Sequence, residues 1–411
     1  IDLVIPDASY LVANKDRIRG YVFTHGHEDH IGATPYVLDQ APAPIFGSRL
    51  TLALIENKLR ERHINGIESI PVESRQIVQL GCFSVQFIRV NHSIAGAYAV
   101  AITSPAGTIL FTGDFKIDFT PPDGQVTDLS ALAAIGERGV LAMMCDSTNV
   151  EHPGYTLSEK RVGETFRDQI ASASGRVFIA MFSSNINRVQ QVAECALQFG
   201  RKVCFVGRSM INVSTVAMEL GMLNIPRQSL IDVDEIDHHR DDQVLVITTG
   251  SQGEPMSGLT RMAFSEHRKL RIKPSDKIII SSTPIPGNEV YVSRVINQLY
   301  RCGAEVIYDA MAEVHVSGHA CQEEIKLMYA LVKPQYAIPV HGEYRMLWQH
   351  AELAESMGTP RENIIIPEIG QVIELSADSI ALAGLVPTGT LLIDGLGIGD
   401  VGNVVLRDRK H

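Results

Sequence analysis

The chain has 411 residues, 45% of them hydrophobic and 20% charged, which allows about two to three globular domains of roughly 150 residues each. No apolar run approaches the ~20 residues of a membrane span, so a soluble, cytoplasmic chain with no membrane partner is expected. The formal net charge of −11 argues against a protein that coats nucleic acid over its whole surface; a nuclease, which needs only a local positive groove with bound metal contributing to it, stays open.

In chain order, the first stretch is strand-rich up to about Asn149. Short β-prone runs lie at 20–24, 84–91, 98–103, 108–112 and 140–145, with helical segments near 31–39 and 48–63. Thr156-Leu157-Ser158-Glu159 has the form of a capping box and predicts a helix to about Ala171. From Arg176 the pattern becomes a strict alternation. Strands are expected at 177–181, 203–206, 244–248, 277–281 and 305–307, with helices at 189–199, 213–220 and 289–302 between them. That rhythm predicts a parallel sheet with helices on both faces. After His319 the chain returns to helix, strand and helix at 322–332, 336–340 and 344–357. One domain inserted in another is expected, divided as 1–165, 166–320 and 321–411.

The chain opens at Ile1 with no charged, then apolar, leader, and its ending at 404–411 stops mid-pattern. It reads as a trimmed chain. Its six cysteines (Cys82, Cys145, Cys195, Cys204, Cys302 and Cys321) have no C-x-x-C spacing, the usage of reduced thiols in a reducing compartment.

The strongest chemical signal is His25-Gly26-His27-Glu28-Asp29-His30, directly after the run 20–24. Imidazole and carboxylate donors suit zinc. At a strand end positions 25 and 27 project to one side, and a tightening turn brings Asp29 and His30 to a neighbouring point, so one loop can serve two metals. Gly26 leaves room for close backbone approach, and Gly32 eases entry into the next helix. His92 follows the run 84–91, and Asp114 follows 108–112 through Gly113. Taken singly, each is an ordinary surface or turn residue. In the company of the histidine loop they become ligands held by a rigid sheet.

These positions resemble the second, third and fourth motifs of the metallo-β-lactamase fold. The resemblance implies that His25, His27 and His92 bind one zinc and Asp29 and His30 the other, with Asp114 bridging. It implies a bridging water whose pKa falls towards ~7 and whose hydroxide attacks the phosphodiester. Asp7 lacks the following glycine of the family's first motif and is not assigned that role; the early strands are expected to be missing.

The zinc loop alone fits thioester hydrolases, lactonases, β-lactamases or nucleases. Three later motifs discriminate: Asp146 in Cys145-Asp146-Ser147-Thr148-Asn149, the pair in His315-Val316-Ser317-Gly318-His319, and His341 in Pro339-Val340-His341-Gly342-Glu343. Together they resemble motifs A, B and C of the β-CASP nucleases. By that match His341 completes the second zinc's ligands, and His319, steered by Asp146, protonates the leaving oxygen. The implied fold is α/β, a metallo-β-lactamase αββα sandwich with an inserted doubly wound parallel-sheet β-CASP domain. Long stretches such as 24–33, 206–210, 249–256, 284–289 and 315–320 narrow the resemblance to the ribonuclease J family. That family implies a 5′→3′ exoribonuclease preferring 5′-monophosphate RNA, with some endonuclease cleavage. It also implies two zinc ions (manganese or magnesium as activating substitutes), single-stranded RNA as partner, and a homodimer or homotetramer or assembly with a paralogous subunit. A further C-terminal domain is implied too. His315, Ser317, Ser251, Gln252 and Arg208 are the candidate RNA and phosphate contacts, and Gly250-Ser251-Gln252-Gly253 offers backbone N–H groups after a strand. The other histidines (His63, His152, His238, His239, His267, His350 and His411) read as structural or exposed. Two competing readings are a small-molecule metallohydrolase and a non-catalytic scaffold subunit.

Overall fold

Alternating apolar residues in the first third build two sheets that face each other. A computed structural model describes residues 3–394 together with 397 and 398; the ending at 404–411, His411 included, lies outside them. One sheet has six strands in the order Tyr336–Val340, Ala142–Asp146, Gly107–Phe111, Tyr98–Ser104, Phe83–Arg89 and Ile77–Leu80. The other is parallel and has three: Tyr21–Val22, Ile45–Gly47 and Ser69–Pro71. Strand periodicity sorts the side chains. Val85 and Phe87 turn inward to pack with Phe46, Val72, Tyr98 and Val100. Ile88 turns outward, where Leu132, Ile135, Ile325 and Met328 of covering helices meet it. The helices Thr34–Gln40 and Arg49–Glu61 close the opposite side on Ile45. The result is the αββα sandwich.

The chain leaves this sandwich after Ala142–Asp146 and rejoins it at Tyr336–Val340, pairing in parallel with the strand it left. In between lies a second, wholly parallel sheet in the order Lys202–Val206, Val244–Thr248, Val177–Ala180, Lys277–Ile280 and Glu305–Ile307. Every residue of the three central strands is buried, as expected when helices cover both faces. Val177 and Ile179 meet Val162, Phe166, Val189 and Val192 on one face. Phe178 and Ala180 meet Leu259, Met262, Val295 and Leu299 on the other. This is the inserted doubly wound domain.

Several local expectations shift. The helix after Thr156 spans Glu159–Ala171 with Ser158, not Thr156, as N-cap. The capping box does not form because the Glu159 carboxylate is taken by Arg188, with Nε–Oε1 2.6 Å and Nη2–Oε2 3.0 Å. That helix runs unbroken through 165/166, and its Val162, Phe166 and Ile170 pack on the parallel sheet. The helix expected at 213–220 begins at Arg208, and a helix at Leu129–Arg138 was not anticipated. Among the described residues no helix is long and apolar enough to cross a membrane.

Candidate metal centre

The histidine loop is shaped by its backbone. Thr24 O accepts from Tyr98 N at 2.9 Å, tying the loop to the six-stranded sheet. His27 is the N-cap of the turn Glu28–Ile31, and its carbonyl accepts from His30 N and Ile31 N at 3.0 Å. This turn carries Asp29 and His30 towards the side chains of His25 and His27. Its other acid, Glu28, points away and pairs with Lys58 Nζ at 2.6 Å. Asp114 follows Gly113, whose φ of +56° suits glycine and where a Cβ would sit 3.0 Å from Tyr98 O and Thr24 Cβ.

Asp114 is the hub. Its Oδ2 lies 3.6 Å from His25 Nε2, 3.2 Å from His30 Nε2, 3.8 Å from His92 Nε2 and 3.5 Å from His341 Nε2. His92 Nε2 is 3.0 Å from His27 Nδ1, and His341 Nε2 is 3.4 Å from Asp29 Oδ2. Three groups of donor atoms within 4.8 Å of one another result: His25–His27–His92–Asp114, Asp29–His30–Asp114–His341 and, sharing His341, Asp146–His319–His341. All seven candidate ligands lie in the first two groups, and Asp114 is common to those two. His341 gets there from the end of its strand in a left-handed conformation, φ +56°, rare for a residue other than glycine and concentrated at functional sites.

The residues fit divalent metal on their own chemistry. His25 Nε2 and His30 Nε2 are buried and have no hydrogen-bond partner among the described residues, a costly state for polar atoms unless an ion is their partner. The second nitrogens are directed elsewhere. His92 Nδ1 donates to Gly318 O at 2.7 Å, which leaves Nε2 free of hydrogen and facing the cluster. His25 Nδ1 is 3.0 Å from Thr24 Oγ1. Burial holds His25 and His92 well below the ordinary imidazole range and His27 at about 4, so these rings are neutral and ready to ligate. The hydrogen bond from His341 draws Asp29 down to about 2. Burial opposes charge on His341, yet Asp146, Asp29 and Asp114 outweigh it and raise that ring to about 10: this side of the cluster demands positive charge.

His319 sits beside the cluster, its ring 5.0 Å from that of His92 and stacked on His341 at 5.6 Å. Its Nδ1 is 2.7 Å from Asp146 Oδ2. Burial opposes charging this ring, but Asp146 prevails and raises its pKa. Asp146 is fixed in turn by the hydroxyl and amide of Thr148, at 2.8 and 3.0 Å from Oδ1.

The remaining candidates lie apart from the ligand groups. Ser317 Oγ accepts from His319 N at 3.1 Å. His315 Nδ1 is 3.1 Å from Arg188 Nη1, so that nitrogen is occupied. Ser251 and Gln252 are buried; Gln252 Nε2 donates to Ser282 Oγ and Thr283 O, and its Oε1 accepts from Ile285 N. Arg208 is exposed at the start of its helix. His350, read as structural, is buried between Ser147 and Tyr329. Arg188 and Glu324, which hold the surrounding loops, escaped the sequence reading because nothing in their local spacing marks them, and Glu159 was read only as a helix cap.

Comparison with known proteins agrees with this picture. Family profiles match the metallo-beta-lactamase superfamily over residues 4–189, the ribonuclease J beta-CASP domain over 174–299 and a Zn-dependent metallo-hydrolase RNA specificity domain over 304–367. Ribonuclease J2 of Bacillus subtilis is 44% identical over 411 residues, covering all of this chain and 74% of its own length. Ribonuclease J of Thermus thermophilus is 45% identical and ribonuclease J 1 of Streptococcus pyogenes 46%, each covering all of this chain and 73% of its own length. A crystal structure of a protein of unknown function from Enterococcus faecalis shares the fold with a TM-score of 0.58 at 16% identity, covering 85% of this chain and 79% of its own. The chain is thus a metal-dependent, RNA-binding hydrolase with nuclease activity, and it belongs to the ribonuclease J family of β-CASP metallo-β-lactamases.

Proposed function

We propose that this chain is a 5′→3′ exoribonuclease favouring a 5′-monophosphate end, with additional endonuclease cleavage, acting in RNA decay and maturation at a two-zinc centre. The observation that carries the two-ion reading is the sharing of Asp114 between two complete donor groups. His25, His27 and His92 would hold one ion and Asp29, His30 and His341 the other, with Asp114 between them. Two bound ions supply Lewis-acid polarisation of a phosphoryl oxygen and acidify water. The protein's own part is positional. Gly318 O sets the tautomer of His92; Asp146 accepts from His319 Nδ1 and favours the doubly protonated ring, whose Nε2 then carries the proton given to the leaving oxygen. Ser317, His315, Ser251, Gln252 and Arg208 are retained as RNA-side contacts in this reading. We take the inserted domain to run from about Glu159 to 320, with assembly as a homodimer or homotetramer in the cytoplasm.

The experiment pairs metal analysis of the purified protein with decay of end-labelled RNA. Two zinc per chain and faster decay of 5′-monophosphate than 5′-triphosphate RNA are expected. Equal rates for the two ends would remove the exonuclease assignment, and one ion per chain would remove the two-metal centre.

A further inference from the structure

We infer that Thr156 and Glu324 are positioning residues for the reaction, forming a buried brace that holds the backbone of His319 and so aims its ring at the cluster. The inference rests on the reading of His319 as proton donor given above.

Glu324 is fully buried, and its carboxylate collects three backbone N–H groups. Oε1 accepts from Ile117 at 2.7 Å; Oε2 accepts from Thr156 at 2.7 Å and from Cys321 at 2.8 Å. As the third residue of the helix Gln322–Val332, Glu324 is placed to cap it, and the Cys321 bond is that cap. Helix capping accounts for that bond alone. The other two reach segments that follow Asp114 and Asp146, which a residue serving only its own helix has no cause to touch. A buried carboxylate is tolerated only when its oxygens are satisfied, and here backbone amides of three separate loops satisfy them.

The second half of the brace is Thr156. Its hydroxyl donates to His319 O at 2.7 Å, and Asn149 Nδ2 donates to the same carbonyl at 3.0 Å. His319 N is held by Ser317 Oγ and its ring by Asp146. His319 is therefore gripped at amide, carbonyl and ring. One oxygen of Glu324 binds both Thr156 N and Cys321 N, which fixes the spacing between the Thr156 hydroxyl and the carbonyl two residues before Cys321. Neither Thr156 nor Glu324 belongs to any of the three donor groups, so loss of the brace should misalign the proton donor and leave the metal ligands in place.

The test uses the full chain with its metal. Thr156→Val keeps shape and removes the hydroxyl; Thr156→Ser restores it. Thr156→Val should lower kcat on 5′-monophosphate RNA about tenfold, as a small misplacement of a reacting group does, with KM and metal content unchanged. Thr156→Ser should bring kcat back to near wild type. Glu324→Gln, which exchanges one acceptor oxygen for an amide donor, should lower kcat in the same direction and also lower Tm. Wild-type kcat in Thr156→Val, a loss matched by metal loss, or no rescue by serine overturns the brace. His319→Ala separates the two levels. If it retains turnover, the reading of His319 falls; if it is inactive while Thr156→Val is not impaired, only the brace falls.

Discussion

The two sheet systems treat buried polar groups at their strand ends in opposite ways. In the inserted parallel sheet, Gln252 has each side-chain polar atom engaged, Ser282 donates to Ser251 O and Ser281 to Val314 O. Arg188, the largest fully buried side chain, reaches Glu159, Ser281, His315 and Val316. Arg201 Nε, alone before the strand Lys202–Val206, is the one buried side-chain atom left without a partner there among the described residues, and nothing converges on it. In the sandwich, His25 Nε2 and His30 Nε2 end against neighbouring donors and a shared carboxylate with no hydrogen bond made. Burial of a polar side chain is therefore no sign of function in itself. An unsatisfied donor set that converges on one point is such a sign.

Substitutions on the two sides should accordingly separate. The largest effect is expected from His27→Ala, with cleavage falling on the order of 10³-fold and metal content dropping; full activity at normal metal content would abolish the contrast. Arg188→Met should leave metal bound but destabilise the fold by about 3–5 kcal/mol in urea unfolding, because Glu159 is left as an unpaired buried charge. Loss of metal with no loss of stability would invert the comparison. Chelation should lower the stability of wild type by ~2.7 kcal/mol if metal was present at about a hundredfold over Kd, and should change His27→Ala much less. Similar shifts in both proteins would disconnect the histidine loop from metal. Gln252→Leu should cost ~1–3 kcal/mol, the penalty for stranding its former partners, with metal content intact.

The smallest effect concerns pH. Arg75 holds Asp128 at about 2, chiefly through a side-chain hydrogen bond. A carboxylate lowered in the folded state contributes stability above its ordinary value of 3.8 and loses that contribution as pH falls towards 2. Arg75→Ala should thus be less stable than wild type at pH 5 and match it near pH 2. Curves that diverge on acidification would contradict the assignment.

How legible all this was in the sequence follows the range of the interactions. Val177, Ile179 and their alternating neighbours announce the parallel sheet because period and burial are local. His25 to His30 announce ligands because they are crowded into one loop. Thr156-x-x-Glu159 misled because spacing shows a capping partner three positions along and cannot show Arg188, whose bond to Glu159 spans 29 residues. Glu324 was invisible for the same reason: its acceptors serve amides 168 and 207 residues away. The order of strands within the parallel sheet is likewise set by packing between distant helices and leaves no local mark.

The return of Tyr336–Val340 to the edge strand it departed from has a bearing on biosynthesis. Asp29 and His341 stand 312 residues apart in sequence, and closing so long a loop precedes any reward from the contact it makes. On the ribosome, the histidine loop emerges early and waits while the whole insertion is translated and folded, since domains tend to fold as units during synthesis. The nascent polypeptide thus carries an incomplete centre beside the messenger being read, and the centre is completed only when Tyr336–Val340 docks and delivers His341.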